Sequence, residues 1–535
     1  MSDYLAGLDL PSSSEGDSSD VEDPCTLDSD QAETFTFRAI RLKRDSQPPE
    51  ARFVFTVSDL PGKELIQSVF LPFPVPDDEA LMRTLEGALL NIGLVSLLWP
   101  WMSFGHRRVR VCAGALSGDQ IAWWTRFYKE ALSEWAIVNG LGLDDIELEI
   151  SAGNAVGVLD PEPHSPSTPK SSALCPLGGG KDSLVVFELL KRQECLGAVD
   201  WLYVGDGRGE YARSPRLRGI VAESSARCHV LEHEFGKRAL GELLARLGKR
   251  RTTLRAVGHP WAALVAFDAA MVAAVLGFEY VVVGNERSAN FGNGVFLEGS
   301  GGRFEVNHQF DKSLSFEQEF HSYARRHICP NVYHFSALQA LWEVQIAQIF
   351  ATCCKRYLTL FISCNESGGN RRWCSRCEKC CFVFGLLAAF LDTSVLTEAF
   401  GKNLLDDAFL VPTFRRLLGI GGEPKPFECV GEPAEMRVSL ALAEARSRAP
   451  AVAAGRRKSA GLAVLDALRP QLADAGGQAA LEARRMLAAG PVEPDLQDPS
   501  DGALGLYPPW WSWPGGCLEG LAAAATDTEG LLGEK

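Results

Sequence analysis

The chain has 535 residues, of which 46 % are hydrophobic and 23 % are charged, a globular composition with enough length for two or three domains. Its net charge of −15 is uneven, because residues 1–33 hold ten acidic and no basic side chains and leave −5 for the remainder. Fifteen cysteines, four of them close together, disfavour a disulfide framework and indicate a reducing compartment, either the cytoplasm or an organelle stroma.

The first segment, residues 1–33, is rich in Ser, Asp and Glu and is predicted to be a disordered acidic tail. It has no basic start, no apolar stretch and no arginine. It is therefore typical of neither a secretory signal nor a mitochondrial transit peptide.

Residues 34–159 show the patterns of an N-terminal α+β domain. Strands are expected at FTFRAIRL, RFVFTVS and RRVRVCA, and helices at ALMRTLEGALLNIGLVSLL and QIAWWTRFYKEALSEWAIVNG. Residues 160–172 hold four prolines in thirteen positions, which predicts a linker.

Residues 173–396 alternate short apolar runs with helical ones, which predicts βαβ units and an α/β fold with a doubly wound parallel sheet covered on both faces. The apolar run Trp261–Val283 contains Asp268 and Glu279 and divides at Gly277, so a buried helix and strand are expected, with no membrane span. A further strand is expected at YLTLFIS, before the cysteine-rich region.

The last part of the chain changes in composition. Residues 397–489 are rich in Ala, Leu and Arg and are predicted to form a helical extension. Residues 490–535 contain PPWWSWPGG without periodicity and are predicted to be a disordered tail.

The stretch ALCPLGGGKDSLVV places three glycines between an apolar strand and a helix. Such a turn presents backbone N–H groups at a helix N-terminus, where an anion such as phosphate is favoured, although glycine-rich turns also occur without a ligand. Cys175 and Asp182 exclude a G-x-x-x-x-G-K-[ST] loop, and Ser183 excludes the dinucleotide pattern G-x-G-x-x-G.

Four cysteines follow one another at spacings x9, x2 and x2, which suit one tetrahedral metal centre: Cys364, Cys374, Cys377 and Cys380. Four thiolates leave no open position for water, so a structural Zn²⁺ is expected. Cys381, Cys353 and Cys354 are rival ligands, and four free thiols are the alternative.

The segment 284–312 follows a predicted buried strand and is crowded with polar residues. Ligands of open α/β sheets bind beyond the carboxyl ends of strands, although a polar loop can also be merely solvated. The candidate binding residues are Asn285, Glu286, Arg287, Ser288 and Asn290. Aromatic and basic residues do not interleave along the chain, so no nucleic-acid partner is expected.

The sequence GGGKDS resembles the S-G-G-x-D-S pyrophosphate loop of the ATP-pyrophosphatase (PP-loop) superfamily, with Gly178 where the usual pattern has Ser. The resemblance implies a PP-loop type of fold that binds ATP and Mg²⁺, with Asp182 near the metal ion. The implied pyrophosphate-binding residues are Gly178, Gly179, Gly180, Lys181, Asp182 and Ser183.

Together with GNERSAN, EVNHQFDKSLSFE, HFSALQALWEVQIAQIF and the cysteine motif, this loop resembles the ATP-dependent UDP-N-acetylmuramoyl-L-alanyl-L-glutamate epimerases of peptidoglycan synthesis. The resemblance covers roughly residues 35–400. It implies that the α-carboxyl of the terminal L-glutamate is adenylated, that the α-carbon is deprotonated and reprotonated on its other face, and that hydrolysis yields AMP, pyrophosphate and the D-glutamyl product. The implied partner is the UDP-linked muramoyl dipeptide.

This chemistry needs a base, and the candidates are His308, His259, Lys312 and Glu286, of which His308 ranks first because its amide and charged neighbours could hold a ring tautomer. Two other functions stay open. One is a ligase similar to 7-cyano-7-deazaguanine synthase, which has this loop and a four-cysteine zinc site. The other is a nucleotide-binding protein without turnover. The oligomeric state is not indicated.

Overall fold

The structure is a computed structural model that describes residues 33–152, 171–246, 254–366, 372–422, 424–453 and 462–474, with isolated positions between 482 and 511. Three predicted segments lie almost entirely outside the described residues: the acidic tail 1–33, the linker 160–172 and the C-terminal tail 490–535.

Among the described residues, the last strand ends at Ser336, whereas helices continue to Asp474. The strands are β1 (Thr34–Lys43), β2 (Glu50–Val57), β3 (Leu65–Phe70), β4 (Arg108–Val111), β5 (Glu149–Ala152), β6 (Ser171–Pro176), β7 (Leu196–Gly205), β8 (Cys228–Glu234), β9 (Tyr280–Val283), β10 (Phe296–Gly299), β11 (Gly302–Glu305) and β12 (Tyr333–Ser336). The helices are α1 (Glu79–Trp101), α2 (Gly118–Asn139), α3 (Lys181–Leu190), α4 (Glu210–Arg213), α5 (Pro215–Ser224), α6 (Lys237–Arg246), α7 (Trp261–Leu276), α8 (Leu314–His327), α9 (Glu343–Cys353), α10 (Glu378–Ala388), α11 (Thr393–Phe400), α12 (Val411–Leu417), α13 (Pro433–Ala453) and α14 (Ala463–Asp474).

Ten strands form one sheet in the order β12-β9-β6-β7-β8-β3-β2-β1-β4-β5, and β10 and β11 form a separate hairpin. The five strands from β12 to β8 are parallel to one another. Pairing becomes antiparallel from β8 through β3 and β2 to β1, and is parallel again from β1 to β5. The predicted α/β class with a large, mostly parallel sheet is confirmed.

Local signals in the sequence explain where these elements begin and end. Ser117 precedes helix α2, and its side chain accepts the Gln120 N–H in a capping box. Gly140 follows the helix and has the left-handed φ of 67° that glycine tolerates. Strand β1 alternates buried and more exposed residues, with Phe35 and Phe37 completely buried.

The sheet carries a core on each face. One core is formed by α3, α5, α9 and α10 together with α11 to α14 of the predicted helical extension. The other is formed by α1, α2, α7 and α8. Helix α1 is the one described helix that is long and apolar enough to cross a membrane, and 78 % of its most apolar window is buried inside the fold, as in a core helix.

Two features differ from the expected organisation. The segment predicted as an N-terminal α+β domain joins the sheet of the following segment, because Ser68, Val69 and Phe70 of β3 pair with Glu234, His233 and Glu232 of β8. The prediction of a strand at YLTLFIS is wrong. A short 3-10 turn at Lys355–Tyr357 leads into an irregular stretch, whose Ile362 N–H donates to the Gly179 carbonyl at 2.9 Å. This stretch packs against the glycine loop instead of adding a strand.

Candidate functional site

A cleft of about 390 Å³ opens at the carboxyl ends of β6, β7 and β9. The chain passes from β6 to β7 on one side and returns with β9 on the other, so the cleft lies at the switch point of the sheet, where ligands of α/β proteins bind. The main polar groups on its wall come from six parts of the chain: Asp182 and Ser183, Asn285, Asp311 and Lys312, Ser363 and Asn365, Lys379, and Cys429.

The glycine loop turns from β6 into α3 at the edge of this cleft. Gly180 is the N-cap of α3 and offers no capping side chain, so the first N–H groups of the helix stay available to a ligand. The Gly179 carbonyl accepts from Arg216 Nη1 at 3.2 Å in addition to Ile362 N–H. Gly178, Gly180, Asp182 and Ser183 line the cleft.

Lys181 does not follow the expected orientation of a phosphate-binding side chain. It is completely buried, and its ammonium contacts the carboxylates of Asp182 and Glu343. Burial alone would lower the pKa of Lys181, but Asp182, Glu343 and Glu286 raise it well above its usual range. Burial opposes ionisation of Asp182, yet Lys181 and then Lys379 hold its pKa below the usual value, so its carboxylate is charged.

The polar segment after β9 divides into two groups. Asn285 lines the cleft, and its backbone N–H donates to Ser336 Oγ at 2.8 Å. Glu286 is buried beside it. The other predicted binding residues do not line the cleft: Arg287 stacks on Trp342, Ser288 is buried, and Asn290 binds Gln339 and the backbone of Leu314.

The candidate bases lie in different environments. Lys312 lines the cleft, and although burial alone would lower its pKa, Cys429, Glu286 and Asp311 raise it well above its usual range. His259 does not line the cleft; its Nε2 lies 3.2 Å from the Val95 carbonyl, and burial lowers its pKa to about 3. This environment disfavours a proton-transfer role for His259.

His308 lies behind the cleft wall, between a carboxylate and a thiol. Its Nδ1 is 2.5 Å from Glu134 Oε2, and because a carboxylate accepts, this nitrogen carries the proton. Its Nε2 is 3.9 Å from Cys429 Sγ. Burial would lower the pKa of His308, but Cys429 and Glu134 raise it to about 10, so the ring is protonated at neutral pH.

Cys429 is one of the cleft residues that sequence reasoning missed. Burial would raise the pKa of its thiol, but Lys312, His308 and Lys379 lower it to about 7. It belongs to the predicted helical extension, in FECVGEP, a stretch with no ligand spacing or known motif around it. Glu134 also gives no signal, because it lies on an amphipathic helix 174 positions before His308.

One part of the cleft lining is mostly apolar. Val265 and Ala266 of α7 and Phe316 of α8 line it together with His334 of β12. Both ring nitrogens of His334 are buried without a hydrogen-bond partner, and burial lowers the pKa of this ring to about 3, so it is neutral. A neutral imidazole there can donate to or accept from a flat, apolar-faced ligand.

The sulfur atoms of the four predicted metal ligands converge. Those of Cys364, Cys374, Cys377 and Cys380 all lie within 4.8 Å of one another. The Cys374–Cys380 and Cys377–Cys380 sulfur distances are 3.6 and 3.5 Å, and tetrahedral bonds of about 2.3 Å would place sulfurs a similar distance apart. The donor set could therefore hold Zn²⁺, and the rival Cys381 does not join it.

Comparison with known proteins decides the family. Residues 26–337 match the MurL N-terminal domain, and residues 353–469 match the MurL C-terminal domain. The chain belongs to the MurL family. The match extends past residue 400, where the resemblance noted from the motifs ended, and so includes most of the predicted helical extension.

Relatives of this MurL family member carry one name, UDP-N-acetyl-alpha-D-muramoyl-L-alanyl-L-glutamate epimerase. The relative from Xanthomonas oryzae pv. oryzae (strain MAFF 311018) is 32 % identical over 430 residues, which cover 78 % of this chain and 88 % of the relative. The relatives from Micromonospora sp. and Salinispora tropica are each 30 % identical and cover 77 % of this chain, with 86 % and 84 % of their own lengths.

In this MurL chain the matched C-terminal domain forms part of the cleft wall. Asn293 Nδ2 donates to the carbonyls of Lys425 and Pro426 at 3.2 and 3.1 Å. Glu435 at the start of α13 accepts the Glu343 N–H at 2.5 Å, which caps α9. These contacts explain how a segment far along the chain brings Cys429 to a site built mainly by earlier residues.

Proposed function

We propose that this protein epimerises the terminal L-glutamate of UDP-N-acetylmuramoyl-L-alanyl-L-glutamate to D-glutamate for peptidoglycan synthesis, with cleavage of ATP to AMP and pyrophosphate. The observation that carries the proposal is the uncapped N-terminus of α3, which opens into a charged cleft at the switch point of the sheet. The names of the relatives support the substrate.

Two parts of the cleft lining suit the two ends of ATP. The backbone N–H groups of Gly180 to Ser183 suit the pyrophosphate, and the charged Asp182 carboxylate suits Mg²⁺, a cation that prefers oxygen ligands. The apolar part of the lining beside Phe316 suits a purine ring, whose edge the neutral His334 imidazole can meet.

Adenylation explains why an epimerase would use ATP. Removing the α-proton next to a free carboxylate would create a dianion, whereas an acyl-adenylate carries no charge on the acyl group and its α-carbon is more acidic. Lys312 and Lys379 line the cleft, and their ammonium groups can stabilise the negative charge that develops on the phosphate and on the acyl oxygen.

The cysteine cluster is proposed to hold a structural Zn²⁺. Four thiolates close the coordination sphere, so the metal would fix the fold rather than activate water. Cys364 also borders the cleft, and Lys379 lies between the ligands Cys377 and Cys380, so this centre would help to hold the cleft wall in place. The four cysteines of the cluster are free of disulfide bonds, which fits a reducing compartment such as the cytoplasm.

The alternatives make different predictions for one assay. Purified protein is incubated with ATP and Mg²⁺, with and without the muramoyl dipeptide, in D₂O. The proposed epimerase forms AMP and pyrophosphate only with the dipeptide and places deuterium on the glutamyl α-carbon. A synthase of deazaguanine nitriles would instead need ammonia and a deazaguanine acid, and a nucleotide-binding protein would release no pyrophosphate. AMP formation with the dipeptide but without deuterium on the α-carbon would contradict the epimerase.

A further inference from the structure

The cleft wall holds a thiol that is connected to an imidazole and a carboxylate. Cys429 lines the cleft, its Sγ lies 3.9 Å from His308 Nε2, and His308 Nδ1 lies 2.5 Å from Glu134. We propose that Cys429 is the catalytic residue that removes the glutamyl α-proton, with His308 and Glu134 as its positioning residues. This inference rests on the proposed function and names a group in that reaction.

The backbone around Cys429 is held on both sides. Gln309 Nε2 donates to the Val430 carbonyl at 3.1 Å, and Lys379 Nζ donates to the Cys429 carbonyl. Asn293 fixes the preceding residues through the two carbonyl contacts described above and also accepts the His308 N–H at 2.8 Å. The thiol and the imidazole are therefore positioned by the same amide side chain, as proton transfer requires.

The charges around the thiol favour its ionised form. The cationic groups that lower the pKa of Cys429 most are the ammonium groups of Lys312 and Lys379 and the His308 ring. Glu428 is its acidic neighbour along the chain, and the carboxylate of Glu428 accepts a hydrogen bond from the Asn365 side chain. With three cationic partners, the thiol can be ionised near neutral pH, which suits a general base.

The proposed step is a proton transfer without a change of oxidation state. The thiolate sulfur takes the α-proton, an S–H bond forms, and the electrons of the C–H bond move into the acyl carbonyl to give an enolate. The enolate carbon then takes a proton from solvent on its other face. The thiol returns its proton to solvent, so the product gains one solvent hydrogen at the α-carbon.

The test separates this step from adenylation. In Cys429→Ser, we expect dipeptide-dependent pyrophosphate release to stay within about threefold of the wild type, because adenylation does not need the base. Deuterium incorporation from D₂O should fall by about 100-fold or more, the usual contribution of a general base. Cys228→Ser is the matched control, since Cys228 is also partly buried but does not line the cleft, and it should change neither rate.

A second measurement needs no turnover. Alkylation of Cys429 by iodoacetamide, followed by peptide mass spectrometry, should have its half-maximal rate near pH 7, and His308→Asn should move this midpoint upward by about one pH unit or more. A merely structural role of His308 would leave the midpoint unchanged. Cys228 in the same sample should react little, because burial raises its pKa to about 12.

The other outcomes overturn the assignment in distinguishable ways. If folded Cys429→Ser exchanges deuterium at the wild-type rate, or loses deuterium exchange and pyrophosphate release equally, Cys429 does not transfer the proton. Either outcome would leave the proposed function standing. An acyl adduct on Cys429 in protein quenched during turnover would make it a nucleophile instead. If Cys429→Ser does not fold, Cys429→Ala is used and the same criteria apply. Wild-type protein that releases no pyrophosphate with the dipeptide would overturn the proposed function and this assignment together.

Discussion

The ammonium group of Lys181 is completely buried and pairs with the equally buried carboxylate of Glu343. The pair joins the glycine loop at the start of α3 to the start of α9, on the face of the sheet that carries the C-terminal helices. Glu343 in turn lies against Glu435, whose pKa is raised to about 8 by burial and by the Glu343 charge. Lys379 Nζ lies 3.9 Å from the other oxygen of Glu343, so two ammonium groups offset the charge of these buried carboxylates, and Lys181 is the closer.

Replacing this lysine should destabilise the fold strongly. Lys181→Met removes the cation closest to Asp182 and Glu343, and we expect the free energy of unfolding to fall by about 3–5 kcal/mol. Glu343→Gln should cost less, because Lys181 keeps Asp182 as a partner. Urea unfolding followed by tryptophan fluorescence measures both. Equal stability of Lys181→Met and wild type would show that the buried ion pair does not support the fold.

The cysteine cluster predicts the metal content. Purified protein should carry about one Zn²⁺ per chain, because four converging sulfurs match a closed tetrahedral site. Cys377→Ser should lose the metal and unfold at a lower temperature. Cys381→Ala is the control, since this residue follows Cys380 directly but lies outside the cluster, and it should keep the metal. Elemental analysis that finds no metal in protein purified without chelators would contradict the site.

Sequence patterns within one segment predicted many elements of the fold and the cysteine cluster. Contacts between distant segments could not be predicted from such patterns. Alternation in β1 and the spacing of Cys374, Cys377 and Cys380 are local properties, and both describe the structure well. The Glu134–His308–Cys429 arrangement joins residues 121 and 174 positions apart, so it depends on the folded sheet and its covering helices.

Lys181 shows that a contact with a distant residue can override the expectation from a local motif. Its position in GGGKDS favours a ligand-facing ammonium group, yet Glu343, which is 162 positions away, draws the side chain into the interior. The prediction of a strand at YLTLFIS was also wrong because of contacts with a distant segment. The apolar Phe361 and Ile362 pack into the core beside the glycine loop without joining a sheet.

Because the charged carboxylate of Asp182 lines the cleft, we expect its replacement to impair ATP cleavage. Asp182→Asn keeps the size of the side chain but removes the charge proposed to bind Mg²⁺, so AMP formation with the dipeptide should fall by about 100-fold or more. Secondary structure by circular dichroism should stay unchanged. Asp206→Asn, at an exposed pair with Lys237, should keep full activity. Undiminished AMP formation in Asp182→Asn would exclude this carboxylate from the reaction.

Buried His321 predicts a loss of stability in acid. Burial lowers its pKa to about 4, while its Nδ1 donates to the His334 carbonyl at 3.0 Å. Between pH 6.5 and 4 the unfolded chain binds a proton at this residue that the folded protein does not, so stability falls as pH decreases, by about 1.4 kcal/mol per unit.

His321→Asn keeps a donor for the carbonyl but removes this titration. The stability lost between pH 6.5 and 5 should therefore be smaller in the variant than in wild type by about 2 kcal/mol. Urea unfolding at the two pH values measures the difference. Identical pH dependence of the two proteins would show that His321 is protonated in the folded state.

Two neighbouring glycines offer a matched test of the loop itself. Gly179 has a φ of 71°, and a Cβ added there would lie 2.5 Å from Arg216 Nη1, whereas a Cβ on Gly178 would meet no atom within 4 Å. Gly179→Ser should lower the free energy of unfolding by about 1–2 kcal/mol from the left-handed backbone alone, and displacement of Arg216 should release the Gly179 carbonyl and impair ATP cleavage.

Gly178→Ser should leave stability unchanged and keep AMP formation, because it restores the hydroxyl of the S-G-G-x-D-S pattern beside the proposed pyrophosphate site. Urea unfolding and AMP formation are measured for both variants. If Gly178→Ser is destabilised as much as Gly179→Ser, the loop does not have this backbone; if it is stable but inactive, the space next to Gly178 is occupied by the substrate itself.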